Sequence, residues 1–355
     1  MCSYLRIFTH KPAPPMPYLL FLIVFFCSLR VSATGTADTT HENYIGYYHG
    51  IILAEEAIVA QHYTNALRQY EQLFNAYAYN QPADCYIAAQ VAAFTRDTAH
   101  CQLLLQRALC MGMPPETAIA NPHLKYLYNS LTVGTRDSCI GVYHARLNPE
   151  AHAFALSIGK ADQQLVASLP PLGLYGRNGS MLKPAYIPFY DSLVNAIAAA
   201  TERYGFPAER IAGTQQNADS ILRSSPYNRY AYLVLIHHGD AWKQLAPLLR
   251  KELQRGNLSP VMYGAIREGS DRSGVSAQDA PLFAVRPCQD AACRKQLEAA
   301  GIARVNAARR EVGLGSYELM EQKYATMIRY RKWRMLRNRQ PEPVFDFCCD
   351  LHFGS

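Results

Sequence analysis

Apolar residues recur at helical spacing along most of the chain, and this pattern predicts a mostly α-helical protein. The signal is clearest before residue 113, where apolar side chains fall three and four positions apart in four successive segments. Gly112 and then Pro114 mark the end of the fourth segment, because glycine closes helices and proline cannot continue them. The four predicted helices cover residues 47–63, 64–77, 83–95 and 98–112.

A polar stretch at 131–139 interrupts this pattern and predicts a boundary. We therefore expect a short helical region over 44–131, a larger helical domain over 140–340 and a C-terminal tail over 341–355. Two segments of the larger domain are rich in glycine, proline or polar residues and predict loops. They are 170–188 and 267–281.

The first residues have the features of a signal peptide. Residues 17–29 are apolar, Arg6 and Lys11 precede them, and Val31-Ser32-Ala33 has small residues at the cleavage positions. This predicts a signal peptide over 1–33 and an exported protein, either periplasmic or extracellular. A start at Met16 and an uncleaved membrane anchor are the open alternatives.

Export permits disulfides. Removal of Cys2 and Cys27 with the signal would leave eight of the ten cysteines, and Cys288 and Cys293 lie close enough in a loop-like segment to form a local bridge. No Cys-x-x-Cys occurs, so a thioredoxin motif or a zinc ribbon has no support.

The charge is only mildly basic. The formal net charge is +7, and removal of three basic residues with the signal leaves +4, which argues against nucleic-acid binding. Residues 323–339 carry seven basic residues and no acidic one. They predict either contact with an anionic surface, such as lipid headgroups or an acidic partner, or an ordinary solvated helix face. The sequence predicts neither a cofactor nor a metal.

Residues 237–240, His-His-Gly-Asp, are the first stretch whose residue types are typical of a catalytic site. One interpretation is a helix junction, with His237 and His238 in the last turn, Gly239 closing the helix and Asp240 capping the next one. The other is a catalytic site, in which Asp240 orients His238 as a general base, or both act as metal ligands, and Asp271 contributes a second carboxylate. The junction is the favoured interpretation.

Four further residues are candidates for ligand binding. Asp162 and Gln163 are polar residues inside an apolar-patterned helix, so they either face solvent or line a pocket. His237 adjoins the catalytic candidate, and Arg272 follows Asp271 in a polar loop. In the enzyme interpretation we expect His238, Asp162 and Asp271 to converge in one cleft.

The N-terminal helices resemble tetratricopeptide repeats. Leu53 and Ala54 precede Ala66 and Tyr70 at the spacing of that repeat. A second, slightly shorter unit runs from Ala88-Ala89 to Ala99 and Leu103. Only about two units match, whereas an independent solenoid usually needs three, so we expect these helices to dock on the rest of the chain. The resemblance implies a concave surface for a protein partner, and a helical cap without a partner is the alternative.

Residues from about 148 to 320 resemble a bacterial domain family of unknown function that is often found in exported proteins. The resemblance lies in the order of four elements, quoted as Lys-Ala-Asp-Gln-Gln at 160–164, Gly-Phe-Pro at 205–207, His-His-Gly-Asp at 237–240 and Arg-Arg-Glu-Val-Gly-Leu at 309–314. His237 stands where the family has glutamine. The resemblance implies no activity.

These patterns together favour an exported protein that binds or scaffolds other proteins through residues 44–131. The alternative is a hydrolase or a small-ligand-binding domain centred on His238, Asp240 and Asp271. Whether the protein is an enzyme is left open by the sequence.

Overall fold

Helices account for all the regular secondary structure in the part of the chain that the computed structural model describes. That part comprises residues 43–168, 184–213, 230–238, 240–271, 283–285, 288 and 291–336. The all-α prediction is therefore confirmed for these residues. Their α-helices are α1 (Tyr44–Val59), α2 (Tyr63–Ala76), α3 (Pro82–Phe94), α4 (Thr98–Cys110), α5 (Pro115–Ala120), α6 (Lys125–Ser130), α7 (Val133–Arg146), α8 (Pro149–Ala167), α9 (Ile187–Tyr204), α10 (Glu209–Ala212), α11 (Tyr230–His237), α12 (Ala241–Gln254), α13 (Pro260–Asp271), α14 (Ala291–Ala300), α15 (Ile302–Glu311) and α16 (Tyr317–Leu336), with a 3-10 turn at Pro184–Tyr186 before α9.

The first four helices lie where the apolar pattern predicts them, with shifts of a few residues at their ends. Two of them begin at a side chain that satisfies a free backbone N–H. Asn43 accepts from the N–H of Ile45 before α1, and Asp97 accepts from the N–H of His100 before α4. Gly112 has a φ of 102° just beyond α4, which is the left-handed conformation predicted for it.

Most of the stretch 131–139, where the polar pattern predicts a boundary, lies in helix α7. The Thr132 side chain accepts a hydrogen bond from the N–H of Thr135 and so starts α7. Cys139 and Tyr143, one turn apart on α7, are both buried. Helix α7 packs on α4, and most of its other residues are exposed.

One continuous cluster of buried apolar residues draws on both predicted regions, from Tyr44 in α1 to Leu314 after α15. Helix α3 is the most enclosed element, since every residue from Pro82 to Ala92 is buried. The first predicted repeat unit packs as a helical hairpin, with Ala54, Ala66 and Tyr70 fully buried. The division into a region over 44–131 and a domain over 140–340 remains a prediction.

Helix α1 is tied to the end of the described chain by polar contacts. The Lys323 ammonium of α16 lies 2.6 Å from the Glu55 carboxylate, and both side chains are buried. The hydroxyl of Tyr48 donates to the carbonyl of Leu258 at 3.4 Å. Lys323 therefore faces the protein interior, and the anionic-surface contact over 323–339 remains a prediction.

The segment before α14 is fixed by side chains and by a disulfide. The buried Arg309 guanidinium donates to the carbonyls of Phe283 and Ala284, while a Glu268 carboxylate oxygen accepts from the N–H groups of Phe283 and Val285. Burial, the largest influence, lowers the pKa of Arg309 to about 10. The predicted bridge between Cys288 and Cys293 is confirmed, with Cα atoms 5.4 Å apart.

Candidate functional site

The junction between α11 and α12 places the two adjacent histidines in different surroundings. His237 is the last residue of α11, and Asp240 occupies the N-cap position of α12 without a capping side-chain hydrogen bond. Residue 239 lies outside the described residues, so the predicted closure by Gly239 remains a prediction. Both histidines point towards consecutive residues of α9, Tyr190 and Asp191.

His238 is buried, and both of its ring nitrogens are engaged. The backbone N–H of Asp240 donates to Nδ1 at 3.2 Å, and Nε2 lies 2.7 Å from Oδ1 of Asp191. Because Nδ1 accepts, the proton on Nε2 is the one shared with Asp191. Neither nitrogen is then available to take a proton from a substrate, and His238 joins α9 to the α11–α12 junction.

The predicted orientation of His238 by the Asp240 carboxylate is wrong. That carboxylate is 61% exposed and pairs instead with Lys243 at 2.6 Å, one helical turn further along α12. The carboxylate that contacts His238 belongs to Asp191, which is 47 residues away in the sequence. The third catalytic candidate, Asp271, is the last residue of α13. Its side chain and all of Arg272 lie outside the described parts of the chain.

His237 belongs to a separate polar cluster that joins α8, α9 and α11. Its Nδ1 lies 3.0 Å from Oδ1 of Asp162, and the hydroxyl of Tyr190 donates to the same oxygen at 2.9 Å. Gln163 donates to the other carboxylate oxygen at 2.8 Å. Three of the four predicted ligand-binding residues, Asp162, Gln163 and His237, thus meet in one place.

The centre of this cluster is a buried carboxylate that stays ionised. Asp162 is only 1% exposed, and burial, the largest single influence, raises its pKa. The hydrogen bond and the charge of His237, together with the hydrogen bonds from Tyr190 and Gln163, outweigh burial and leave the pKa below its usual value. A buried aspartate that is held charged in this way anchors the three helices around it.

A carboxylate bonded to Nδ1 fixes the orientation of an imidazole, an arrangement that general-base histidines use. The His237 side chain is 19% exposed, so part of the ring reaches the surface of the described residues. In the described part of the chain, no group of three or more histidine, cysteine or acidic residues is placed to hold a metal ion.

Two residues of these contacts, Tyr190 and Asp191, were missed as site residues by sequence reasoning. Both lie on the second turn of α9, and they precede their histidine partners by 47 residues. The only local signal is the Tyr-Asp pair itself near the start of a predicted helix. Nothing in the local pattern indicates that this pair faces the His-His pair.

A pocket lies at a different place, between α1 and the segment that joins α15 to α16. It has a volume of about 310 Å³. Its apolar wall is formed by Ile52, Leu53 and Leu314, and its rim carries Glu56 and Arg310. The lining is completed by His49, Asn306, Gly315 and Ser316. A site of this size lies at the lower end of the range for small-molecule pockets.

A hydrogen bond joins the two helices that form the sides of the pocket. His49 Nε2 lies 2.7 Å from the carbonyl oxygen of Arg310, which connects α1 to the end of α15. Leu53, one of the lining residues, is 54% exposed. The geometry leaves an apolar cleft with one carboxylate and one guanidinium beside it.

Exposed large apolar residues are concentrated in the N-terminal half of the described chain. Helix α3, in contrast, has no exposed residue between Pro82 and Ala92, so the face that a repeat would offer to a partner is covered there. In the second predicted repeat unit, Ala99 and Leu103 face solvent instead of the helix interface. The exposed residues are Leu53, Leu103, Ile119, Tyr126, Val133, Ile140, Val142, Leu156, Ile187 and Ile302.

Among the described helices, none combines the length and apolar character needed to cross a bilayer. Residues 1–42 lie outside the described residues, so the predicted signal peptide over 1–33 is not addressed by this finding. No family model, no curated protein and no solved structure matches this chain.

Proposed function

We propose that this protein binds other proteins and that its pocket between α1 and α15–α16 receives an apolar side chain of the partner. The observation that supports this proposal is the half-exposed Leu53 at a preformed cleft of about 310 Å³. A partner that covers the exposed Leu53 side chain stabilises the complex by roughly 25 cal/mol for each Å² of apolar surface removed from water.

The rim defines the chemistry of the occupant. Glu56 and Arg310 place opposite charges on two sides of an apolar floor made by Ile52 and Leu314. The partner that fits is a peptide segment with one aliphatic or aromatic anchor between a basic and an acidic residue. Charged rims of this kind select and orient a partner, whereas the apolar anchor supplies most of the affinity.

The test is selection from a displayed peptide library on the full chain, followed by affinity measurements on the enriched peptides. We expect enriched sequences to share an apolar anchor with flanking charges and to lose at least about tenfold in affinity for Leu53→Arg. Leu103→Arg is the matched control, because Leu103 is equally exposed on α4 but does not line the pocket. Equal losses in both variants, or no enrichment, would contradict the proposal.

The proposal also places the protein outside the cytoplasm, on the signal-peptide pattern of residues 1–33. Expression of the full chain in a bacterium and N-terminal sequencing of the product test it. A mature N-terminus just after Ala33 in the envelope or culture fluid supports export. An intact N-terminus in the cytoplasmic fraction excludes it.

A second candidate function is binding of a small polar ligand at the cluster of Asp162, Tyr190 and His237. It is favoured by the convergence of three predicted ligand residues on a buried, charged carboxylate. Screening of a fragment library by ligand-observed NMR against the wild-type chain tests it. The fragments that bind the wild type must bind His237→Gln more weakly and must bind Leu53→Arg unchanged. His237→Gln introduces the glutamine that the resembling family has at this position.

A further inference from the structure

Helix α7 packs on the rest of the described chain along one side only. Of its 14 residues, Cys139 and Tyr143 are the buried ones. The Cys139 thiol donates to the carbonyl oxygen of Gln106 in α4, and the Tyr143 ring lies against Gly112 just beyond α4. The opposite side of α7 is exposed among the described residues.

The outward side of α7 carries a regular stripe of residues. Val133, Asp137, Ile140, Gly141 and His144 follow one another at spacings of mostly three or four positions, which places them on one face of the helix. All five are exposed, and the two large apolar side chains, Val133 and Ile140, are 64% and 46% exposed. A narrow stripe of this kind is typical of a helix that pairs with a second helix.

Gly141 in the middle of this stripe has no role within the described chain. Its φ is not in the left-handed region, and no described atom lies within 4 Å of the point where its Cβ would be. Gly112, in contrast, has a φ of 102°, and a Cβ there would collide with the Tyr143 ring. Since glycine inside a helix costs about 1 kcal/mol relative to alanine, a close approach of another backbone is the physical reason that would favour it at position 141.

The two charged or polar side chains of the stripe also lack partners in the described part of the chain. Neither Asp137 nor His144 forms a side-chain hydrogen bond or an ion pair there. They lie about 10 Å apart along the helix, which is too far for them to pair with each other. The midpoint between them falls between Ile140 and Gly141, so the stripe is symmetric about its apolar centre.

We propose that α7 forms the interface of a homodimer, in which two copies of the helix pair antiparallel about a two-fold axis at the level of Ile140 and Gly141. In a two-fold interface, each contact between two different residues occurs twice. Asp137 of each copy then meets His144 of the other copy, and an imidazole N–H donates to the carboxylate whether the ring is neutral or protonated. Ile140 meets Ile140 on one flank, and Gly141 meets Gly141 on the other, where the two backbones approach.

The charge pattern favours a second copy over an unrelated partner. An unrelated helix would supply its own charges, and it would not require Asp137 and His144 to lie at equal distances from one centre. A helix of 14 residues is about 21 Å long, so the pair buries less than about 1,200 Å², the range of weak and reversible complexes. We therefore expect a dimer that forms as the protein concentration rises.

The experiment is sedimentation velocity on the full chain over a wide range of concentration. We expect reversible dimers in the wild type and at least about tenfold weaker association in Ile140→Lys and Gly141→Gln. Gly141→Gln should keep or raise the midpoint of thermal unfolding, because glutamine is a better helix former than glycine and its side chain enters open space. Ile302→Lys is the matched control, since Ile302 is an exposed isoleucine on α15, and it must associate like the wild type.

An exchange of the two polar residues tests the antiparallel register. Asp137→His and His144→Asp should each weaken the dimer, because like side chains then face each other, whereas the double variant should regain the wild-type affinity. A chain that stays monomeric at every concentration, as expected if another segment or a different protein covers α7, would overturn the proposal. A dimer that is insensitive to the α7 variants, or a double exchange no tighter than the single ones, would overturn it as well.

Discussion

Replacement of Asp162 by alanine is the sharpest test of the polar cluster between α8, α9 and α11. The substitution removes the shared acceptor of Tyr190, His237 and Gln163, whose donor atoms lie 2.8 to 3.0 Å from the carboxylate. A net hydrogen bond to a charged group contributes about 1.5–3 kcal/mol, and removal of one partner from a buried charged pair costs about 3–5 kcal/mol.

The expected loss of stability is smaller than the sum of these contributions, because the surroundings of residue 162 relax after the substitution. His237 is partly exposed and regains water, and loss of a buried carboxylate also removes its desolvation cost. We therefore expect Asp162→Ala to lower the free energy of unfolding by about 3–4 kcal/mol. Tyr190→Phe removes one of the three hydrogen bonds and should lower it by about 1–2 kcal/mol.

The assay is urea unfolding followed by circular dichroism, with an expected fall in midpoint of about 1 M for Asp162→Ala. Asp240→Ala is the matched control, because that carboxylate is exposed and forms only a surface pair with Lys243. It should change the free energy of unfolding by less than about 1 kcal/mol. If the two alanine variants differ by less than about 1 kcal/mol, the reasoning that makes Asp162 a structural anchor is refuted.

Three further predictions concern pH, the buried ion pair and the disulfide. The lowered pKa of Asp162 contributes stability that is complete above the ordinary aspartate pKa and is lost as pH falls through the folded-state pKa. The wild type should therefore be more stable than Asp162→Asn at neutral pH, and this difference should shrink in acid. Urea unfolding of both proteins at several pH values measures it. Lys323→Met should lower the free energy of unfolding by about 3–5 kcal/mol, because it leaves the buried Glu55 carboxylate without its lysine. The double variant Lys323→Met and Glu55→Leu should regain most of that stability, and thermal unfolding measures both variants. The double variant Cys288→Ser and Cys293→Ser should lower the unfolding free energy by about 2 kcal/mol, and a change below about 0.5 kcal/mol would show that the five-residue link constrains the unfolded chain very little.

The helical class and the first four helices could be predicted because their signals are local. Apolar spacing, the Asn43 and Asp97 caps and the left-handed Gly112 all act within one or two turns. The stretch 131–139 does not reveal its helix by apolar spacing, because within it only Leu131 and Cys139 are buried and they lie eight positions apart. The Thr132 cap is a local signal, whereas the packing of α7 on α4 is not.

The members of the polar cluster could be predicted only in part, for the same reason. Asp162 and Gln163 are polar residues inside an apolar-patterned helix and His237 adjoins His238, and both are local properties. The partner of His238 was assigned to Asp240 by proximity in the sequence, whereas the structure uses Asp191 on another helix. Lys323 was grouped with its basic neighbours, although the inner face of its helix meets Glu55 at a sequence separation of 268 residues.

The contacts of α1 have a consequence for how the chain folds. Tyr48, His49 and Glu55 find their partners 210, 261 and 268 residues later in the sequence. The first described helix therefore cannot complete its packing until nearly the whole chain has been synthesised, and contacts between residues so far apart in sequence form slowly. During that interval its apolar face is open to premature association, so the yield of folded protein should depend on how long the nascent chain is kept from aggregating.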